Sequence, residues 1–269
     1  MGGRRIPPVA MTQTKNGVPH LFDFWDMVSE KIRAANDIRL FLDFDGTLVP
    51  YCDRPQDVKL SGGSRRILAR LGRHRRVHVA IVSGRRNAAL RKYVRVPRMQ
   101  FLGLFGWEKN GRPPLPRETK EALRSLQPVL ATLPALFPGI RLEDKGISCA
   151  VHFRGASPEA QRGVQAWIRG LLTRICADFR GIRSNYACEI VPRQVQGKGI
   201  AMRELIRGLR IPCLPIYVGD DLTDEPAFAA LRRGITVRVA PVSRTRAQFR
   251  LRDSQEVRVF LERLEEELS

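Results

Sequence analysis

Two carboxylates, Asp43 and Asp45, follow the apolar run Leu40-Phe41-Leu42 and precede Gly46 and Thr47. Such a run suits a buried parallel strand. A carboxylate at its end is costly unless it is paired, protonated or bound to a cation. Side chains alternate along a strand, so the pleat predicts Asp43 and Asp45 on one side. Two carboxylates so placed suit a divalent cation and an incoming phosphate. Gly46 permits a sharp turn, and the Thr47 hydroxyl can fix a neighbouring carboxylate. The same residues would also build an ordinary Asx turn after a strand.

Three further groups point to the same chemistry. Ser83 closes the run Val79-Ala80-Ile81-Val82 and opens Ser83-Gly84-Arg85 ahead of a helix. A hydroxyl and free backbone amides there make an anion site, or a plain helix cap. Lys198 stands in Gln196-Gly197-Lys198-Gly199 at the start of another helix, where its ammonium can meet a phosphate oxygen as a point charge or lie in a solvated loop. Ile216-Tyr217-Val218-Gly219 runs into Asp220, Asp221 and Asp224, three acids within five residues. Acids so close repel one another unless a cation or a lysine balances them, and hard oxygen ligands of this kind suit Mg²⁺.

These groups need a scaffold that brings four distant segments together. Apolar spacing predicts helices over 21–35, 64–71 and 87–94, with strands over 39–43, 76–83 and 100–104 between them. Strands alternating with helices imply a parallel sheet covered on both faces. The texture then changes. Asn110-Gly-Arg-Pro-Pro-Leu-Pro116 reads as a linker, followed by a helix over 117–133, strands over 141–144 and 147–153, a long helix over 158–179, and strands over 182–185 and 188–191. After Pro192 the first texture returns: helices over 199–209, 226–231 and 255–268, with strands over 215–218 and 235–239. The expected architecture is a doubly wound, Rossmann-like α/β core over 19–110 and 193–269. A smaller α/β cap over 111–192 is inserted into it, and a disordered tail occupies 1–18. In such sheets the site lies beyond the carboxyl ends of the strands.

Composition narrows the function classes. The 269 residues carry 47 basic and 27 acidic side chains, a formal charge of +20. That charge attracts anions such as phosphorylated metabolites, nucleic acid or an anionic membrane. The arginines are scattered and do not gather on one aromatic-studded face, which favours a general surface bias over a nucleic-acid interface. The five cysteines are odd in number and form no Cys-x-x-Cys pair, which argues against a disulfide framework and a structural zinc site. A reducing cytoplasm is the simplest home. Met1–Gly17 lacks an apolar stretch fit for a signal peptide, and no segment approaches the ~20 apolar residues of a membrane span. The sequence is silent on oligomeric state.

The order of the four groups resembles the haloacid-dehalogenase-like (HAD) superfamily: Asp-x-Asp-Gly-Thr, then Ser, then Lys, then Gly-Asp-Asp-x-x-Asp. The resemblance sharpens to the trehalose-6-phosphate phosphatase family. Phe41-Leu-Asp-Phe-Asp-Gly-Thr-Leu-Val-Pro50 is similar to its first motif, and Pro19-His-Leu-Phe-Asp-Phe-Trp25 to its N-terminal segment. Leu142-Glu-Asp-Lys-Gly146, His152-Phe-Arg154 and Glu189-Ile-Val-Pro192 resemble its cap segments, and Gly219-Asp-Asp-Leu-Thr-Asp-Glu225 its last motif. One departure stands out. Phe105 occupies the place of the family's His in Gly-x-His-Gly-x-Glu, here Gly103 to Glu108.

The resemblance implies roles. Asp43 is the nucleophile that takes up the phosphoryl group, and Asp45 the general acid and base. Mg²⁺ is held by Asp43, the backbone carbonyl of Asp45 and Asp220. Asp221 and Asp224 orient Lys198 or metal-bound water. Ser83, Gly84, Arg85 and Lys198 hold the phosphate, and Thr47 braces the first loop. Glu108, Glu143, Lys145, His152, Arg154 and Glu189 are candidates for the sugar hydroxyls, although each cap residue would equally suit a solvated sheet face. The implied reaction is Mg²⁺-dependent hydrolysis of a phosphorylated sugar, foremost trehalose 6-phosphate. Its rivals are a glucosyl- or mannosyl-phosphoglycerate substrate and a catalytically silent regulatory module.

Overall fold

The run that carries Asp43 lies in the middle of a parallel sheet. The computed structural model describes residues 18–52, 57–109, 115–175, 177–209, 211–240 and 244–269. After a single 3-10 turn at Leu21–Phe24, α1 (Trp25–Ala34) leads into β1 (Ile38–Leu42), α2 (Gly62–Leu71), β2 (Val77–Val82), α3 (Asn87–Val94) and β3 (Gln100–Leu102). The inserted unit contains α4 (Arg117–Ala131), β4 (Arg141–Asp144), β5 (Cys149–His152), α5 (Pro158–Arg174), β6 (Phe179–Arg183) and β7 (Ala187–Pro192). The chain then returns to the first sheet through α6 (Lys198–Arg207), β8 (Leu214–Gly219), α7 (Glu225–Ala230), β9 (Ile235–Val239), β10 (Phe249–Leu251) and α8 (Ser254–Glu266).

Six strands pair in the order β10-β9-β8-β1-β2-β3, every pair parallel. Their pleat sorts the apolar side chains. Leu40, Leu42, Ile81 and Val218 face the layer built by α1, α2, α3 and α8, where Ile32, Leu68, Leu90 and Phe260 are buried. Phe41, Ala80, Val82 and Tyr217 face the opposite layer, with Met202 of α6 and Phe228 of α7. Both faces are covered, which is why β1, β2 and β8 read as continuous apolar runs. Side chains fix several helix starts: Ser61 accepts from the Ser64 amide, Ser157 from the Ala160 amide, and Asp253 from the Gln255 and Glu256 amides.

The inserted sheet is antiparallel, in the order β4-β5-β7-β6. One face is closed by α4 and α5 through Leu123, Leu126, Leu130, Val164, Ile168 and Leu171. The other face presents Arg141, Glu143, His152 and Glu189 to a cavity against the core. This is the alternation that an antiparallel sheet with one open face requires.

Several boundaries differ from expectation. The helix expected over 21–35 is a 3-10 turn followed by α1. The long helix expected over 158–179 stops at Arg174, and Phe179 opens β6 instead, buried in the cap core and paired with Pro192. No glycine or proline marks that stop, so only the pull of the sheet and core reveals it. The strand expected over 100–104 ends at Leu102 because Leu104 and Phe105 adopt left-handed backbone angles. β10 went unread, since three residues carry too little periodicity. Val18, assigned to the tail, is buried, and its carbonyl accepts from Arg250. The rest of that tail, 1–17, and most of the linker, 110–114, lie outside the described residues. No described helix is long and apolar enough to cross a membrane.

Two measurements check this packing. Phe260 is fully buried and meets Trp25 edge-to-face at 6.2 Å. Phe260→Ala is expected to cost about 3–5 kcal/mol of stability by chemical denaturation, through lost burial plus a cavity. The Cys149 and Cys188 thiols are both pushed up to about 11 by burial. At pH 8 only about one in a thousand of each is ionised. A thiol reagent should therefore label exposed Cys52 before Cys149 and Cys188, and reach these two faster only as the pH rises.

Candidate active site

The parallel register assembles the site. Leu42 pairs with Ile81 of β2 and with Val218 of β8, so these strands finish side by side. The next residues along each, Asp43, Ser83 and Asp220, therefore meet at one carboxyl edge, the usual site position in an open α/β sheet. The Asp43 amide still donates to the Val218 carbonyl at 2.9 Å, and the Ser83 amide to Leu102 at 3.2 Å. Asp45 lies beyond the strand end, in the turn after Leu42, so it is this turn and not the pleat that brings it to the cavity beside Asp43.

Lys198, the first residue of α6, is the charge at the centre. It is 2 % exposed, and its ammonium lies 2.9 Å from Asp43 Oδ1 and 2.7 Å from Asp224 Oδ1. Burial works against the ammonium, but Asp224 and Asp43 more than offset this and hold its pKa above the ordinary lysine value. Asp224 has two further donors: Oδ1 also accepts from the Tyr217 hydroxyl at 2.7 Å, and Oδ2 from the Asp221 amide at 2.9 Å. Asp224 therefore orients the lysine. Asp221 does not touch it. The Asp221 carboxylate accepts instead from the Leu222 amide and, across to the cap, from the Asn185 amide at 2.8 Å.

Asp43, Asp220 and Asp224 form a buried cluster whose oxygens lie within 4.8 Å of one another. Asp224 accepts from Lys198, Tyr217 and a backbone amide, Asp43 from Lys198 and the Phe44 amide, and Asp220 from Thr47, and together the three could hold a cation. Burial first, and the neighbouring carboxylates after it, push Asp43 well above the usual range and Asp220 to about 7. One lysine does not balance this cluster, and a divalent cation with hard oxygen preference fits it. Thr47 holds Asp220 through its hydroxyl at 3.1 Å. Gly46 (φ +80) passes so close that a Cβ there would lie 2.2 Å from Asp220 Oδ2, so only glycine lets the loop approach.

Asp45 is gripped by Arg85 with two parallel bonds of 2.7 Å. The Arg85 guanidinium also stacks 5.1 Å from the Tyr93 ring centre and 5.6 Å from that of Phe44. Ser83 is buried, and its hydroxyl accepts from the Arg85 amide at 3.2 Å. It does not cap a helix, because α3 starts only at Asn87. The anion place at that helix start is taken by Glu108, whose carboxylate accepts from the Asn87 amide at 2.5 Å. Glu108 was expected at the sugar, but it belongs to this brace and is not among the residues lining the cavity.

The cap supplies the opposite wall of a cavity of about 190 Å³. Lys145 is buried; it donates to Glu189 at 2.7 Å and to the core carbonyl of Gly84 at 3.0 Å, while the Ser148 hydroxyl takes the other Glu189 oxygen at 2.5 Å. Glu143 and His152 pair at 2.9 Å, and the His152 bond is the main reason that the Glu143 carboxyl titrates below its usual value. Arg154 stacks 5.2 Å from the ring centre of Tyr51 on the core and 4.8 Å from that of Tyr186 on the cap. Tyr51, Tyr186, Ser148 and Tyr217 escaped the sequence reading. The contact between core and cap places Tyr51 and Tyr186, while Tyr217 is placed by its bond to Asp224 inside the core and Ser148 by its bond to Glu189 inside the cap.

A family model described as Trehalose-phosphatase matches residues 41–255. The chain belongs to that family. Trehalose 6-phosphate phosphatase RA3 of Zea mays is 31% identical over 256 residues, covering 86% of this chain and 70% of that one. The C-terminal domain of trehalose-6-phosphate phosphatase from C. albicans superimposes with a TM-score of 0.82 at 20% identity, over 94% of this chain and 99% of that one. A haloacid dehalogenase-like hydrolase from Bacteroides thetaiotaomicron gives 0.58 at 17% identity, over 84% and 99%. The fold is thus HAD-like, and this trehalose-phosphatase family member carries its buried lysine and acids at the edge where that sheet places a site.

Removing Lys198 tests the network. Lys198→Met leaves Asp43 and Asp224 buried without their counter-charge and is expected to cost about 3–5 kcal/mol at pH 7 by chemical denaturation. Adding Asp224→Asn should recover part of that loss. A double variant no more stable than the single one would show that the pairing of charges is not what the lysine supplies.

Proposed function

We propose that this chain is a phosphomonoester hydrolase whose substrate is trehalose 6-phosphate, working through a phosphoryl group carried on Asp43. The observation that supports this best is the Asp43–Lys198–Asp224 arrangement at the floor of a cavity roofed by polar cap residues. Asp43 Oδ1 is held by the Phe44 amide and by Lys198, which leaves Oδ2 as the attacking oxygen. That oxygen forms a bond to phosphorus as the bond from phosphorus to the sugar oxygen breaks. Asp45 gives the departing oxygen a proton, then takes one from the water that splits the aspartyl-phosphate and restores Asp43. Ser83 and Lys198 hold phosphoryl oxygens, and an arriving phosphate competes with Asp45 for Arg85, freeing the acid for its task.

Mg²⁺ is the cation that the acid cluster would take, with Asp43, Asp220 and the Asp45 backbone carbonyl as its protein ligands. It would supply charge stabilisation on the phosphoryl oxygens. Glu143, Lys145, His152, Arg154 and Glu189 face the cavity as the groups for sugar hydroxyls. Buried polar groups of this kind discriminate strongly, because an analogue that fails to meet them leaves them unpaired.

The test is phosphate release from trehalose 6-phosphate beside a panel of other sugar phosphates, with and without Mg²⁺. Asp43→Asn is expected to lower kcat by roughly 10⁴-fold or more, the scale of losing a covalent nucleophile. A chelator should abolish turnover, and Mg²⁺ should restore it. Turnover of a different sugar phosphate in preference would keep the mechanism and replace the substrate.

A further inference from the structure

The segment after β3 is held in a backbone conformation that side-chain-bearing residues avoid. Leu104 (φ 48) and Phe105 (φ 58) are both left-handed. Such geometry persists only where the surroundings over-determine it, and it clusters at functional sites. The surroundings here are explicit. The Leu104 amide donates to the Arg85 carbonyl and the Phe105 amide to the Ser83 carbonyl, each at 2.9 Å. Asn87 accepts from the Gly103 amide at 2.7 Å and donates to the Glu108 carbonyl at 2.5 Å. The segment is thereby fastened to Ser83-Gly84-Arg85, the stretch that lines the phosphate end of the cavity.

This fastening aims one apolar group at the site. The tip of the Phe105 ring lies against Gly84, where a Cβ would come within 2.9 Å of it. Phe105 lines the cavity together with Gly84 and Lys145, and the Gly84 carbonyl is the one that receives the Lys145 ammonium from the cap. Ser83 and Lys198 of the core and the polar cap pair Lys145–Glu189 line the same cavity. Tyr51 and Tyr186 line it too, but their rings are taken up by Arg154; among charged Lys145, Glu189 and Lys198, the Phe105 edge thus offers a C–H surface that favours ring hydrogens over a hydroxyl. A sugar ring joined to a phosphate held by Ser83 and Lys198 would lie in this cavity, and the hydrogens on a pyranose ring and its exocyclic methylene suit an aromatic wall.

We propose that Phe105 is a specificity-determining residue: the apolar wall met by the sugar ring that bears the phosphate. This rests on the activity proposed above. The test compares kcat/KM for trehalose 6-phosphate with kcat/KM for acetyl phosphate, which brings a phosphoryl group and no sugar ring. In Phe105→Ala the ratio of the two is expected to fall about tenfold, carried by KM for the sugar phosphate, the scale of removing apolar contact from a pocket. Phe105→Leu, which keeps an apolar wall, should stay within about threefold of the parent ratio, and Phe105→Gln, of similar bulk but polar, should fall with Ala. Inhibition by inorganic phosphate reports on the floor separately.

Equal losses on both substrates in all three variants, with weaker phosphate inhibition, would assign Phe105 to loop support and overturn the proposal. An unchanged ratio in Ala and Gln overturns it as well. If the Ala variant does not fold, the Leu and Gln pair carries the same comparison. A wild-type preference for another sugar phosphate replaces trehalose 6-phosphate as substrate, and the ratio measured with that sugar phosphate still decides the role of Phe105. A wild type that turns over no phosphomonoester overturns the activity and this assignment with it.

Discussion

The Lys198 ammonium is held out of water between two buried carboxylates. A buried charge persists only with partners at close range. The two that touch it, Asp43 and Asp224, come from separate strand ends, 155 residues before it and 26 after it in the chain. The pairing is thus satisfied only when β1 and β8 lie side by side in register and α6 starts beneath them. Tyr217 and the Asp221 amide complete the set on Asp224, so the loop after β8 is shaped by the same requirement. Lys198 opposes the protonation of Asp43 that burial and the neighbouring carboxylates favour, and the rest of that imbalance is what a divalent cation would relieve.

The cap repeats this logic on a smaller scale. Lys145 is buried against Glu189, and Ser148 satisfies the remaining carboxylate oxygen. Lys145 then reaches across to the Gly84 carbonyl, while the Asn185 amide reaches Asp221 and Arg154 stacks on Tyr51. Each link joins a cap group to a core segment that also carries a site residue or flanks one. Closure of the cap is therefore coupled to the geometry of the floor through specific polar contacts and one stacked cation. Such a closed roof excludes water from a reacting phosphoryl group and has to open for the product to leave.

The +20 charge needs no separate partner to be tolerated. Many arginines with described contacts are spent on local tasks: Arg85 grips Asp45, Arg39 forks Asp37, and Arg238 holds the Asp221 carbonyl at 2.7 Å from within the sheet. Arg238 is 3 % exposed and steadies the acidic loop from below. A positive molecule also draws phosphorylated substrates toward its cavity, a field effect that falls with salt.

Sequence alone determined what depends on local chemistry and short periods. The apolar runs before Asp43, Ser83 and Asp220 announced parallel strands, because both faces of such strands are covered. The change of texture after Asn110 and its return after Pro192 announced an inserted α/β unit. The order of the motifs announced the family. Tertiary structure decided everything that depends on which segments become neighbours. It ended α5 at Arg174, added the three-residue β10, turned Glu108 into a brace for α3, gave Asp45 to Arg85, and turned Asp221 from Lys198 to the Asn185 amide of the cap. Propensity and motif are properties of a few consecutive residues. Strand order, register and the contact of cap with core are set by packing between residues far apart in the chain, and no short window of sequence contains them.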